Sequence, residues 1–162
     1  MLKTPFVALF AAILASTALA WPQQPKPESN PQNRPGAEYS GMYSFLKEGE
    51  FVQVTVEDEG HVTGFVSRIG SLDSDKDQVL DQFFKSGKLD NKALTFTTDV
   101  IHGMAYDFKG TIERGEGKAP GDEAYYVLKG TLTERITDAN QKTTSRTREV
   151  TFKSFPAAAE QP

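Results

Sequence analysis

The chain has 162 residues, with 18 lysines and arginines against 22 aspartates and glutamates, no cysteine and two histidines. That length supports one domain, and the lack of cysteine excludes disulfides, thiol nucleophiles and thiolate zinc sites. Two histidines leave little for a multi-histidine metal centre, and the mildly acidic balance argues against nucleic-acid binding, which calls for a basic excess.

Residues 1–20 read MLKTPFVALFAAILASTALA. Lys3 precedes an apolar run from Phe6 to Leu14, and small residues then end at Ala18-Leu19-Ala20. This is the order of a secretory signal peptide, cleaved before Trp21. The run is short for a bilayer-spanning helix, which needs about 20 residues. With no cysteine following, no lipid anchor is expected after cleavage, so the predicted location is secreted or periplasmic. Residues 21–38 hold five of the nine prolines and are expected to form a linker without packed structure. Residues 156–162 are expected to form a disordered tail, leaving 39–155 as the folded unit.

Inside that unit apolar residues recur at every second position. Val52, Val54 and Val56 share one face, and Val62, Gly64 and Val66 continue the pattern. Leu94 and Phe96 follow, then Met104 through Ile112, Tyr126 through Leu132, and finally Val150 and Phe152. Period two means strands with one face on a core and one in water. The runs predict strands near 41–46, 50–57, 61–69, 93–99, 104–114, 124–133 and 145–155, with a short eighth near 86–89. The short connections between them favour antiparallel hairpins. One short helix is predicted near 75–85, because Val79, Leu80, Phe83 and Phe84 fall on one helical face, with Ser74 as cap and Gly87 as terminator. Gly64, Gly110 and Gly130 lie on the inward parity, and mid-strand glycines bend a sheet toward closure. The expected fold is all-β, an antiparallel up-and-down barrel of about eight strands, with a β-sandwich as the alternative.

Gly41-Met42-Tyr43 opens the first strand where lipocalins carry G-x-W, and Glu59-Gly60-His61-Val62-Thr63-Gly64 is similar to the second hairpin of avidin-like proteins. On these motifs the chain resembles the calycin-type barrels, the group holding lipocalins and avidin-like proteins. The resemblance implies a barrel over about 41–155. Tyr43 stands in place of the tryptophan, the predicted helix falls between strands rather than after the barrel, and the aromatic residues of a biotin pocket have no counterparts that can be placed. The chain also resembles short exported bacterial proteins of unknown function, which implies a location but no activity.

In an up-and-down order the loops near 47–49, 70–86, 99–103 and 134–144 share one end of the barrel. Arg68, Arg146 and Arg148 lie on the inward parity there, with His102 in a neighbouring loop and Tyr106 and Tyr126 on the inner wall. Guanidiniums above an apolar and phenolic wall suit a small amphipathic anion, since arginine holds carboxylate bidentately. The competing reading is a solvated rim with surface ion pairs to Asp99, Glu134 or Glu149 around a filled barrel, giving a structural or protein-interaction module. Asp73, Asp75 and Asp77 are spaced like the start of a calcium loop, but Gln78 and Phe84 stand where the turn glycine and the bidentate glutamate belong, so no metal is expected. No motif resembles a nucleophile elbow, and neither catalysis nor a cofactor is expected. The outward pair Tyr125 and Phe65 marks a candidate contact surface for a protein partner.

Overall fold

The computed structural model describes residues 34–71 and 75–157. Residues 1–33, where the signal peptide and most of the linker are expected, residues 72–74 with Asp73 and the expected cap Ser74, and the last five residues lie outside the described residues.

Eight antiparallel strands run in sequence order: β1 (Gly41–Ser44), β2 (Phe51–Val56), β3 (Val62–Ile69), β4 (Val79–Asp90), β5 (Ala93–Thr98), β6 (Met104–Arg114), β7 (Tyr126–Thr137) and β8 (Thr143–Lys153). Each pairs along its ladder only with its neighbours in the chain, making one continuous sheet. The sheet curls until its two ends meet at an antiparallel bridge between Tyr43 and Ser154. The result is the up-and-down barrel expected from the sequence rather than a sandwich. The alternation also places side chains as expected, with Val52, Val54, Val66, Leu94, Phe96, Phe108, Leu128 and Phe152 all in the buried core.

The predicted helix near 75–85 does not form. Asp75–Asp77 make a turn, and the chain from Val79 onward is β4, which absorbs the short strand expected near 86–89. Leu80 and Phe84 point inward with Gln82 between them in the same parity, while Val79 and Phe83 stand outside. A register shift between Phe84 and Ser86 then changes the parity, so that Gly87 and Leu89 face inward. A polar residue facing inward, an aromatic facing out and a bulge together imitate helical spacing.

The glycines act where backbones come close. Gly110 and Gly130 sit directly opposite each other on β6 and β7. A Cβ on Gly110 would lie 2.6 Å from the tip of the Phe108 ring and 2.9 Å from the Gly130 Cα, so side chains there would push the strands apart. Gly64 has φ +149°, in the range that disfavours L side chains, and faces the Gln53 carbonyl on β2.

Rings fill the middle of the barrel. Phe84 stacks on Phe96 at 4.3 Å, and Phe96 on Phe108 at 5.2 Å. Phe108 meets Phe152 at 5.9 Å, and Phe45 inserts from the β1–β2 loop to touch Phe152 at 5.0 Å and Tyr106 at 5.2 Å. Such offset and edge contacts add about 0.5–1.5 kcal/mol per pair to area burial.

Tyr43 and Tyr106 are buried phenols. Burial raises the pKa of each above the ordinary 10.0, helped for Tyr43 by Tyr126 and Tyr39 and for Tyr106 by the Glu134 carboxylate. A raised folded pKa means the native state holds its protons more tightly than the unfolded chain. That part of the stability is intact below pH 10.0 and declines as the pH climbs beyond it toward the folded values. In an alkaline titration followed by phenolate absorbance, these two phenols should ionise only together with cooperative unfolding. Ionisation of all the tyrosines with native circular dichroism retained would show that they are solvated.

Candidate functional site

The end of the barrel where β3 finishes and β4 begins carries a buried polar cluster. Arg68 has the inward parity of β3 and is 2 % exposed. Its Nε donates to Gln82 Oε1 at 2.7 Å, and its Nη2 donates to Asp75 Oδ2 at 3.3 Å. Asp75, fully buried, reaches in from the β3–β4 loop, which turns back through a 2.8 Å bond from Gly70 N to Gln78 O. Gln82 uses both ends of its amide, its Nε2 donating to Asp99 O at 3.2 Å and to Met104 O at 2.8 Å. His102 Nδ1 lies 3.3 Å from Asp75 Oδ2, so one carboxylate oxygen serves two bases. His102 and Gly103 both have positive φ in a tight turn closed by reciprocal bonds between Ile101 and Met104. Two loops, β3–β4 and β5–β6, are thereby tied to one buried charge pair, with charge-assisted bonds stronger than neutral ones.

Beside this cluster Glu134 faces inward opposite Tyr106 and Arg146. Arg148 Nη2 donates to Glu134 Oε2 at 2.9 Å, with side chains 32 % and 15 % exposed. Glu50, also buried, accepts from Ile69 N and Lys47 N and so fixes the β1–β2 loop.

Of the six residues proposed from the sequence, Arg68, His102, Tyr106 and Arg148 come together at this end. Arg146 is exposed on β8 and has no ion pair among the described residues. Tyr126 lies at the opposite end, in register with Arg114 and in edge contact with Tyr39 at 5.0 Å. Periodicity does not reveal Asp75 and Gln82 as partners of Arg68, because it puts both on the expected helix. The competing rim reading did name Glu134 as an arginine partner. Among the described residues no group of three or more histidines or carboxylates could hold a metal, and no hydroxyl hydrogen-bonds His102 or His61.

The seam between β8 and β1 is half zipped. β1 ends at Ser44 and meets β8 only near its C-terminal end, where Lys153 N donates to Ser44 Oγ and Phe155 N to Met42 O. Residues 143–151 of β8 pair with β7 on one side and have no backbone partner on the other among the described residues. Past the zipped end lies a groove of about 520 Å³ lined by Met42, Tyr125, Tyr126, Phe155 and Pro156. The Arg114 guanidinium covers the Tyr125 ring at 3.3 Å. On the outer wall Phe51, Phe65 and Phe83 form a ladder with ring centroids 5.8 and 5.6 Å apart, and Phe83 is 60 % exposed.

No protein-family model and no curated protein sequence matches the chain. Solved structures do. The crystal structure of rhizavidin aligns with a TM-score of 0.55 at 12% identity, covering 76% of this chain and 87% of that one. The crystal structure of the rhizavidin–biotin complex aligns with a TM-score of 0.53 at 12% identity, covering 75% and 97%. At this identity the likeness is one of fold, and the fold is the avidin-like, calycin-type antiparallel barrel.

Proposed function

We propose that the protein is an exported, non-catalytic binding module that engages a protein partner on the outside of its barrel. The observation that carries this reading is the state of the interior. The column from Phe84 through Phe96, Phe108 and Phe152 to Phe45 occupies the middle of the barrel, and Asp75 already holds the Arg68 guanidinium at the end where an anionic ligand would enter. Export rests on the charge, apolar run and small-residue ending of residues 1–20. A barrel of about eight strands either fills with side chains or holds one small ligand, and these core residues favour filling.

A second reading keeps the small amphipathic anion, on the strength of Arg146 and Arg148, which remain within reach of solvent beside Tyr106. The rhizavidin–biotin complex gives a precedent for a small ligand on this fold. Titration with a fluorescent fatty acid separates the two. The filled module should show no saturable one-to-one binding, and Arg148→Ala, which removes a partly solvated pair worth about 0–1 kcal/mol, should leave stability nearly unchanged. Saturable binding that Arg148→Ala abolishes would replace the first reading with the second.

A further inference from the structure

The unpaired edge of β8 is an oriented row of donors and acceptors. Ser154 N donates to Tyr126 O on the β7 side, whereas Lys153 N and Phe155 N donate toward β1. Antiparallel ladders alternate, and the β7–β8 register runs without a shift from Thr143 to Lys153. The N–H and C=O groups of Thr143, Ser145, Thr147, Glu149 and Thr151 therefore point away from β7, along an edge about 30 Å long at the usual antiparallel rise. An edge of this kind is a template for another strand.

Charge selects what that strand can be. The protein is acidic overall, with 22 acidic against 18 basic residues, but this edge carries Arg146 and Arg148 with Glu149 as the one acid between Thr143 and Lys153. A second copy is a poor fit in the registers of fullest overlap. Two β8 edges related by a two-fold axis place residues of equal parity opposite each other. Centred on Thr147 the pairing sets Arg146 against Arg148; centred on Arg148 it sets that arginine against itself. Like charges directly opposite are destabilising. Carboxylates at alternate positions of an incoming strand would instead meet Arg146 and Arg148 in turn, sharing the Arg148 guanidinium with Glu134. Arg146 has no ion pair of its own among the described residues.

We propose that the free edge of β8 is a docking site for an extended acidic polypeptide segment, which adds as a further strand and pairs its carboxylates with Arg146 and Arg148. This rests on the reading of the protein as a module for a protein partner. Main-chain bonds supply affinity and the alternate side chains supply selectivity, as in other strand-addition complexes.

The test uses a fluorescein-labelled peptide alternating threonine and glutamate, and its counterpart alternating threonine and lysine, followed by anisotropy. The glutamate peptide should bind saturably, and by at least about tenfold more tightly than the lysine peptide, with the difference shrinking as salt is added. Amide exchange should show new protection at Ser145, Thr147 and Glu149 and no change at Arg146 and Arg148. Thr147→Pro removes an outward donor while sparing the β7 ladder, and it should abolish binding. The double variant R146A/R148A should weaken binding by about tenfold or more while keeping the native spectrum. If Thr147→Pro does not fold, the double variant and the exchange pattern decide. Equal affinity for the two peptides, no protection at the odd-numbered amides, or a folded Thr147→Pro that binds normally would overturn the proposal. So would a concentration-dependent dimer protecting the same amides without peptide, which would make the occupant a second copy. Failure of both the peptide and the fatty-acid probe would remove this proposal alone, whereas fatty-acid binding without peptide binding would remove the wider reading as well.

Discussion

Replacing Arg68 with alanine is expected to lower unfolding stability by about 3–5 kcal/mol, the range for breaking a buried ion pair by removing one member, since Asp75 loses its one fully buried counter-charge among the described residues. Asp75 is fully buried, and Arg68 supplies its ion pair at 3.3 Å; His102, nearly half exposed, is at the same oxygen. Gln82 would also lose the donor to its Oε1. The loss comes from desolvation rather than from the attraction itself, and a paired substitution tests that distinction. Arg68→Met with Asp75→Leu should recover most of the loss, because apolar replacement of a whole buried pair is often neutral or better. Urea denaturation of the single and double variants measures both quantities. A loss under about 1 kcal/mol for Arg68→Ala would mean that the Asp75 carboxylate is solvated, as surface pairs are.

Phe96→Ala should cost about 3–5 kcal/mol, the range for deleting a large aromatic from a packed core. Phe96 is the middle ring of three on neighbouring strands, with partners on both faces at 4.3 and 5.2 Å. Its removal opens a cavity that the sheet cannot close, because Gly110 and Gly130 already hold β6 and β7 at close approach. Phe83→Ala is the control. That ring stands mostly in solvent on the outer wall, and its loss should change stability by less than about 0.5 kcal/mol. Equal effects at the two positions, measured by denaturant unfolding, would show that the interior column is loosely packed. In that case the barrel would have room for a ligand.

The barrel was legible in the sequence wherever one face of a strand is uniformly apolar. Val52, Val54 and Val56, or Met104 through Ile112, announce both strand and orientation, and the inward glycines announce curvature. Legibility failed at β4 because Gln82 faces inward to bind Arg68 while Phe83 faces out. A buried polar residue and an exposed ring invert the signal on which periodicity depends. The candidate site was half legible for the same reason. Parity gave Arg68, Arg148 and Tyr106 their inward direction, but the partner of Arg68 comes from a loop, whose path periodicity does not describe. Tyr126 was misplaced along the barrel rather than across it. It begins β7, and in an up-and-down sheet the first residue of β7 lies at the opposite end from the last residue of β3.

The half-zipped seam also orders the assembly of the molecule. Every ladder from β1 to β8 joins neighbours along the chain, so seven hairpins can form by closing short loops. The junction of Ser44 with Lys153 spans 109 residues and rests on a few bonds at one end. Closure is therefore the last and least local step. Interactions at that junction govern how fast the native barrel opens, while the hairpins govern how fast it forms.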